Sequence, residues 1–365
     1  MNTKIALRKE AFPEWPFPLM ESGCFRATAF RYATGVCALE VTNGLCSFLL
    51  LPFQGQQLWR VRFGGEDFTM RSIFDEPEPT TVFDLTYGAF LIHCGLTAMG
   101  NPSEEDDHPL HGELPNAEYR QAYLETGDDG GKRYVRVSGT YHHRNGLETN
   151  YLYTPSIRLY EGETILRAEN RIENLRSQPF SFMYMAHINW LPREGARLVY
   201  SAQKDPEHRE VFPGDFGDGI SQERAARLSE YTKHLIADPD IGDVLDSKRQ
   251  CYDPELCSCM RYRADDKGWA HAMQIMPDGR SCYVRFETEY LPNALRWIAR
   301  TGDEDALGFA LPTTGNHLGR AYAILNHLRR EILPHEGITL KYDFGVLSKK
   351  ETVEMEDRIR KILAE

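Results

Sequence analysis

Long apolar stretches are missing from this sequence. It contains no run of about 18 apolar residues, the length that a helix needs to cross a bilayer, and the longest apolar stretch near its start covers only residues 46–52. The N-terminal segment carries Arg8, Lys9, Glu10 and Glu14 and has no apolar core of the kind found in secretory signal peptides. We therefore expect no membrane span and a cytoplasmic protein.

Positive charge is also scarce. Lys and Arg together number 42 against 54 Asp and Glu, which leaves a formal net charge of -12 at pH 7. Binding to nucleic-acid phosphates needs concentrated Lys and Arg. The sequence therefore predicts no nucleic-acid partner and no attraction to an anionic membrane, and its charge is compatible with a neutral ligand such as a sugar.

The cysteines form no familiar disulfide or zinc pattern. There are 8 of them, and without a signal peptide we expect reduced thiols. Cys257 and Cys259, with Cys251 nearby, raise the question of a metal. A C-x-C spacing is not that of a common structural zinc site, and no histidine pair lies beside it. We therefore predict buried thiols and no metal.

Strand signals separated by turns are abundant. Residues 36–41 and 45–51 are apolar or alternating, and Asn43-Gly44 between them is a strong hairpin signal. Similar segments follow at 57–63, 133–141, 151–160, 165–172, 180–190, 281–289 and 337–347. Short strands at such spacing predict an all-β antiparallel sandwich or barrel rather than alternating strands and helices.

Two segments depart from this pattern. Residues 201–246 are polar and acidic, and they predict one helix over 221–234 after a glycine-rich loop at 214–219. Residues 352–365 predict a second helix, with a few apolar positions among charged ones. We expect both helices to pack at the periphery of the β core.

Two motifs place a histidine close to an asparagine. They are Leu110-His111-Gly112-Glu113-Leu114-Pro115-Asn116 and Ala186-His187-Ile188-Asn189-Trp190, and we interpret both as β-structure. Alternation along the second motif would put His187 and Asn189 on one face of a strand. Because histidine titrates near neutral pH, two imidazoles that reach one polar ligand suit proton transfer. A third partner, normally a carboxylate, is expected in the last third of the chain.

Several segments together resemble a known superfamily. Three of them resemble the opening of the aldose 1-epimerase (galactose mutarotase-like) proteins: Leu39-Glu40-Val41-Thr42-Asn43-Gly44, Leu51-Pro52-Phe53-Gln54-Gly55 and Phe63-Gly64-Gly65. Three more are similar to its bacterial DUF4432 branch: 87–97, Gly100-Asn101-Pro102 and Leu110-His111-Gly112. Residues 184–189, 291–297 and 333–342 fit the same order, so the resemblance covers roughly residues 36–348.

The resemblance implies a fold and a domain organisation. The fold would be a large antiparallel β-supersandwich with a few peripheral helices and a sugar site on its concave face. Residues 36–348 would form this domain, with a helical and loop insertion near 201–246. Residues 1–35 would be an N-terminal extension that packs on the core, and 349–365 a C-terminal helix.

The resemblance also implies chemistry. In mutarotases a base removes the proton of the anomeric hydroxyl while an acid protonates the ring oxygen, so the ring opens and closes again as the other anomer. The resemblance assigns the acid to His187, and to His111 either sugar binding or the second proton transfer. It implies a small-molecule sugar as partner and no cofactor. A homodimer is left open as the assembly.

The base is the part of the family pattern that this sequence lacks. The family places a glutamate in a late Glu-Pro segment, and Leu311 stands at the corresponding place here. Leucine cannot accept a proton. Glu289 is our first substitute, with Glu287 two residues earlier and hence on the same face of the predicted strand.

Further residues are candidates for holding the sugar. They are Asn116, Asn189, Trp297, Arg296, His317 and Arg320. An aromatic ring can cover the apolar face of a pyranose, but core packing is equally compatible with Trp297. For the two arginines the alternative to sugar binding is a surface salt bridge.

Three functions stay open at this point. The first is a 1-epimerase-like enzyme, and the second is a non-catalytic sugar-binding protein that has lost the base, which Leu311 favours. The third is a different enzyme on the same fold, such as a polysaccharide lyase or a glycosidase relative. That class usually needs paired carboxylates or a Tyr, His and Arg set, and no such set stands out here.

Overall fold

The computed structural model describes residues 3–212 and 219–364. Most of the predicted glycine-rich loop, residues 214–218, lies outside these ranges. None of the helices found within them is long and apolar enough to cross a membrane.

Strands make up most of the regular structure. In the described residues they are β1 Thr3–Leu7, β2 Phe17–Ser22, β3 Phe25–Arg31, β4 Cys37–Thr42, β5 Cys46–Leu50, β6 Leu58–Phe63, β7 Glu66–Asp67, β8 Leu91–Leu96, β9 Gln121–Asp129, β10 Lys132–Asn145, β11 Thr149–Tyr160, β12 Ile165–Asn174, β13 Phe180–Ile188, β14 Arg197–Tyr200, β15 Arg209–Phe212, β16 Leu256–Arg261, β17 Trp269–Ile275, β18 Ser281–Glu287, β19 Asn293–Arg300, β20 Asp305–Thr313, β21 Arg330–Ile332 and β22 Gly337–Leu347. The helices are α1 Gln222–Ala237, α2 Gly319–Leu325 and α3 Lys349–Ala364, and short 3-10 helices cover Lys9–Ala11, Phe83–Leu85 and Pro239–Gly242.

The chain divides into two compact units. The first comprises Met1–Thr69, Phe74–His187 and Thr314–Asp343, and the second comprises Met70–Ile73, Ile188–Thr313 and Phe344–Glu365. The predicted domain boundaries at 35 and 348 stay a prediction.

Antiparallel strands of the first unit form two layers. One layer has the order β1-β9-β10-β11-β12-β22, and the other has the order β13-β8-β6-β5-β4-β3-β2. Between them the ring of Tyr153 on β11 lies 5.6 Å from that of His93 on β8 and 6.3 Å from that of Tyr184 on β13. The all-β sandwich expected from the strand pattern is confirmed.

A buried hydrogen-bond network ties these layers together. His93 Nδ1 lies 2.8 Å from the Tyr184 hydroxyl, and Asn170 on β12 donates to the hydroxyls of Tyr184 and Tyr342 at 2.9 and 3.1 Å. Since strand side chains alternate between faces, Tyr184 pointing into this interior directs His187 to the opposite face of β13.

The predicted hairpin at Asn43-Gly44 is confirmed. Asn43 accepts hydrogen bonds at its side-chain oxygen from the backbone N–H groups of Leu45 and Cys46, at 3.0 and 2.9 Å. Gly44 has φ +89°, a left-handed conformation that glycine adopts without strain. The turn residues therefore fix the register of β4 and β5 locally.

The second unit has its own antiparallel strands. One set has the order β18-β17-β14 and the other has the order β15-β16-β19-β20. Its two long helices, α1 and α3, are those predicted from the sequence. Ser221 caps α1 by accepting from Arg224 N at 3.3 Å. Each helix buries one apolar stripe, with Leu228 and Leu235 on α1 and Ile359 and Ile362 on α3.

Candidate active site

His111 stands in an irregular loop between β8 and β9. Its φ is +61°, and the next residue, Gly112, has φ +82°. Two successive left-handed residues cannot continue an extended strand. The prediction of β-structure for residues 110–116 is therefore wrong, and these residues form turns instead.

The loop is pinned to the end of β8 by its backbone. His111 N donates to Gly100 O at 3.0 Å, and Gly95 N donates to His111 O at 2.9 Å. A side chain on Gly112 would place its Cβ 2.2 Å from Ala98 O. The loop thus fits against the chain only because glycine follows the histidine.

His187 comes from β13, as the alternation in its motif predicts. Its ring centroid lies 5.7 Å from that of His111, with an angle of 80° between the planes. Both residues are buried, at 4% exposure for His187 and 9% for His111. The structure therefore brings together two imidazoles that are far apart in the chain.

Burial controls the protonation of His111. Desolvation holds the pKa of His111 well below its usual value, and the nearby His187, His317 and His108 act in the same direction. Its Nδ1 atom is buried and has no hydrogen-bond partner among the described residues. His111 is therefore a neutral imidazole near pH 7, and one of its ring nitrogens has no protein partner among the described residues.

Two aromatic rings stand beside this pair. The ring of Phe83 lies 4.7 Å from that of His111 and 5.1 Å from that of Tyr87, while the ring of Tyr87 lies 6.0 Å from that of His187. Sequence reasoning missed both as site residues, although Tyr87 lies in a segment that carried the family resemblance. An aromatic surface of this kind suits the apolar face of a sugar.

Glu113 is a further residue that sequence reasoning missed. Its carboxylate accepts from Leu96 N at 3.1 Å, from Thr97 N at 3.0 Å and from the Thr97 hydroxyl at 2.6 Å. The Tyr151 hydroxyl on β11 donates to the same carboxylate. These donors occupy the carboxylate, so Glu113 anchors the His111 loop.

Asn116 holds the neighbouring aromatic segment. It accepts from Gln57 Nε2 at 2.8 Å and from Gln54 Nε2 at 3.4 Å. Its own amide donates to Val82 O at 3.4 Å, next to Phe83. The side-chain amide of Asn116 is thus hydrogen-bonded to protein groups, and these bonds position the loop.

His317 and Arg320 also belong to the first unit. Burial lowers the pKa of His317 to about 4, and its backbone oxygen accepts from Asn101 N at 2.7 Å. Arg320, on α2, donates to the Asp107 carboxylate, and its backbone N–H donates to His108 Nε2 at 3.3 Å. The charge of Arg320 is therefore engaged by an exposed carboxylate.

The comparison with protein families matches the chain over residues 33–346 to the model described as "Domain of unknown function (DUF4432)". The protein belongs to the DUF4432 family.

Solved structures place the DUF4432 protein in the galactose mutarotase-like fold. A candidate aldose 1-epimerase from Klebsiella pneumoniae superposes with a TM-score of 0.80 at 16% identity, covering 100% of this chain and 96% of the other. A galactose mutarotase-like protein from Clostridium acetobutylicum gives 0.55 at 13% identity over 88% and 98% of the chains. Galactose 1-epimerase from Lactobacillus acidophilus gives 0.52 at 12% identity over 95% and 99%. No curated protein matches the sequence significantly.

The remaining predicted residues of this DUF4432 chain lie in the second unit. Asn189 is fully buried, and its backbone oxygen accepts from Met70 N at 3.0 Å. Trp297 on β19 donates to the Glu255 carboxylate. Its neighbour Arg296 is 3% exposed and donates to Asp243 at 3.0 Å.

The candidate substitutes for the base also lie there. β18 ends at Glu287, and Glu289 is exposed in the turn that follows. The expectation that the two carboxylates share one strand face is therefore wrong. Leu311, which the resemblance sets at the place of a carboxylate, is 1% exposed on β20.

Proposed function

We propose that the protein is an aldose 1-epimerase-like enzyme that interconverts the anomers of a free sugar. The observation that carries this proposal is the contact between the buried imidazoles of His111 and His187. General acid–base chemistry needs two proton-transfer groups that reach one small polar ligand. Mutarotation needs nothing more, because proton transfers are the only steps that the protein must assist.

His111 suits the role of the base. Its lowered pKa keeps it unprotonated at neutral pH. With its proton on Nε2, the unpartnered Nδ1 carries a lone pair that can accept a proton once a sugar reaches it. We assign to His111 the removal of the proton from the anomeric hydroxyl. His111 thereby takes the role of the family's glutamate, since Leu311 cannot accept a proton.

His187 suits the role of the acid. It donates a proton to the ring oxygen while the bond between C1 and that oxygen breaks and C1 becomes an aldehyde. Rotation about C1–C2 and reversal of both proton transfers close the ring as the other anomer, with no net change in protons. Phe83 and Tyr87 support the sugar through its apolar face.

A second candidate function is sugar binding without catalysis. It is favoured by Leu311 at the position of the family base and by the engagement of Glu113 with backbone and hydroxyl donors. In this case the site would bind a sugar at His111 and His187 without accelerating its mutarotation.

One experiment separates the two functions. Anomer exchange is measured by NMR for a panel of free aldoses, with and without the protein, and binding of each sugar is measured by calorimetry. Acceleration that is lost in His187→Asn supports the enzyme. Saturable binding without acceleration supports the binding protein, and absence of both for every sugar overturns the proposal. His234→Asn, an exposed position on α1, is the matched control.

A further inference from the structure

Three basic residues in the second unit lie near one partly buried carboxylate, that of Asp243. Arg296 on β19 donates to Asp243 at 3.0 Å, and Lys204 forms ion pairs with Asp243 and with Asp240. Arg209 on β15 is 7% exposed; its Nη1 donates to Pro239 O at 3.3 Å, and Asp243 is near enough to attract its charge. Asp240 is largely exposed, at 72% of its side chain, so its charge is screened by solvent.

Several hydrogen-bond donors in this group are left over. Arg296 Nε and Nη2 and Arg209 Nε are buried without a partner among the described residues. The hydroxyls of Tyr262 and Ser258 are likewise buried without a partner among the described residues. Ser258 lies opposite Arg296 in the register of the β16–β19 pair. Buried charged groups are costly unless they are paired and hydrogen-bonded, so this arrangement calls for an acceptor.

The two guanidinium groups are close enough to affect one another. Burial and the charge of Arg296 both lower the pKa of Arg209. The Arg296 guanidinium carbon lies 4.4 Å from the ring centroid of Tyr200, which holds it in place. Two cations kept together in this way favour a ligand that carries negative charge.

A cavity lies next to this group. Its volume is about 380 Å³, and its lining includes Tyr200, Lys204 and Asp243. Tyr200 and Asp243 are the same residues that contact Arg296. The lining does not include Arg296, Arg209, Tyr262 or Ser258, so an anion reaches their buried donors only past Tyr200 and Asp243.

We propose that Arg296, Arg209, Tyr262 and Ser258 form a binding site for a small oxyanion in the second unit. Phosphate or a carboxylate fits this donor set, because guanidinium groups bind such oxygens with paired, charge-assisted hydrogen bonds. The site is separate in its residues from the His111 and His187 pair, and it does not depend on the proposed epimerase activity.

The test uses the whole protein freed of phosphate in a chloride buffer of fixed ionic strength. Binding of radiolabelled inorganic phosphate is measured by equilibrium dialysis, and the melting temperature is followed as phosphate, sulfate or acetate is added. We expect saturable binding and a saturable rise in melting temperature. A response to phosphate and sulfate identifies a tetrahedral oxyanion, and a response to acetate identifies a carboxylate.

Variants locate the site. Arg296→Met should weaken phosphate binding at least about tenfold, since it removes charge-assisted hydrogen bonds. Tyr262→Phe and Ser258→Ala remove unpartnered donors without changing charge, and they keep the test valid if Arg296→Met does not fold. Arg261→Met, at an exposed position on β16, should leave binding unchanged. Absence of saturable binding, or equal binding by all variants, overturns the proposal.

Discussion

The edge of one imidazole meets the other in the pair formed by His111 and His187, with ring centroids 5.7 Å apart. One ring is fixed by a loop in left-handed conformation and the other by a strand of a buried sheet. Because backbone hydrogen bonds hold both the loop and the strand, removing either imidazole should abolish proton transfer while the backbone stays folded.

The first prediction concerns the two histidines. His111→Asn and His187→Asn should each lower the anomer exchange rate about 100-fold or more, the usual contribution of a positioned acid or base. The rate is measured by NMR on the best sugar of the panel. A loss confined to one variant would mean that a single histidine serves the reaction, while His234→Asn should match the unmodified protein.

The second prediction concerns the pH profile of the reaction. An ordinary histidine base is protonated below about pH 6.5, but burial lowers the pKa of His111 well below that value. Protonation of His111 should therefore not reduce kcat/KM between pH 8 and 6. A fall in kcat/KM with a midpoint near pH 6.5 that disappears in His111→Asn would contradict this assignment.

The third prediction concerns stability in acid. Burial lowers the pKa of His93 to about 3 and that of His317 to about 4. The unfolded chain therefore binds these protons below about pH 6.5 while the folded protein does not, and stability falls as the pH falls. Each histidine contributes a slope of about 1.4 kcal/mol per pH unit between about pH 6 and its folded pKa.

Urea unfolding between pH 7 and 5 measures this slope. His317→Gln should reduce the slope by about 1.4 kcal/mol per pH unit, the contribution of one bound proton. His234→Gln removes an exposed histidine and should leave the slope unchanged. An unaltered slope in His317→Gln would show that His317 is not buried as a neutral group.

The fourth prediction concerns the anchor of the His111 loop. Glu113→Gln should lower the free energy of unfolding by about 1–3 kcal/mol, because an amide presents fewer acceptors to four donors. Urea unfolding measures the loss. Glu118→Gln is the control, since Glu118 pairs with Lys9 at the surface with 66% of its side chain exposed, and such pairs contribute about 1 kcal/mol or less. Equal effects would remove the anchoring role.

The fifth prediction concerns Gly112. Gly112→Ala combines a left-handed φ with a Cβ only 2.2 Å from Ala98 O. Gly65 has the same φ of +82° but open space around its Cβ position, so Gly65→Ala measures the cost of φ alone. Gly112→Ala should be clearly less stable than Gly65→Ala in thermal unfolding. Equal melting temperatures would show that the loop can move away from Ala98.

Much of the fold could be predicted because its signals are local. Asn43-Gly44 forms the predicted hairpin since the asparagine side chain satisfies the turn's own backbone. Ser221 caps α1 in the same way. The alternation around His187 was sufficient to separate it from the interior face of β13, where Tyr184 lies.

The candidate site could be predicted only in part. His111 and His187 were found, but the conformation of the His111 loop was not, because its turns depend on contacts with Gly95, Ala98 and Gly100. The role of Glu113 depends on Thr97, directly after β8, and on Tyr151, which lies on β11 in the other layer of the first unit. No signal within the motif itself reveals such partners.

Local patterns in the amino-acid order were enough to give the strand and helix periodicity, the hairpin turn, the excess of negative charge and the two histidines. Packing of distant segments was needed to bring their rings together, to engage Glu113 in holding a loop and to bury Arg296 beside Asp243. The reason is physical. Turn chemistry and periodicity act between neighbours in the chain, whereas the protonation and reach of a side chain depend on groups that packing brings from distant segments.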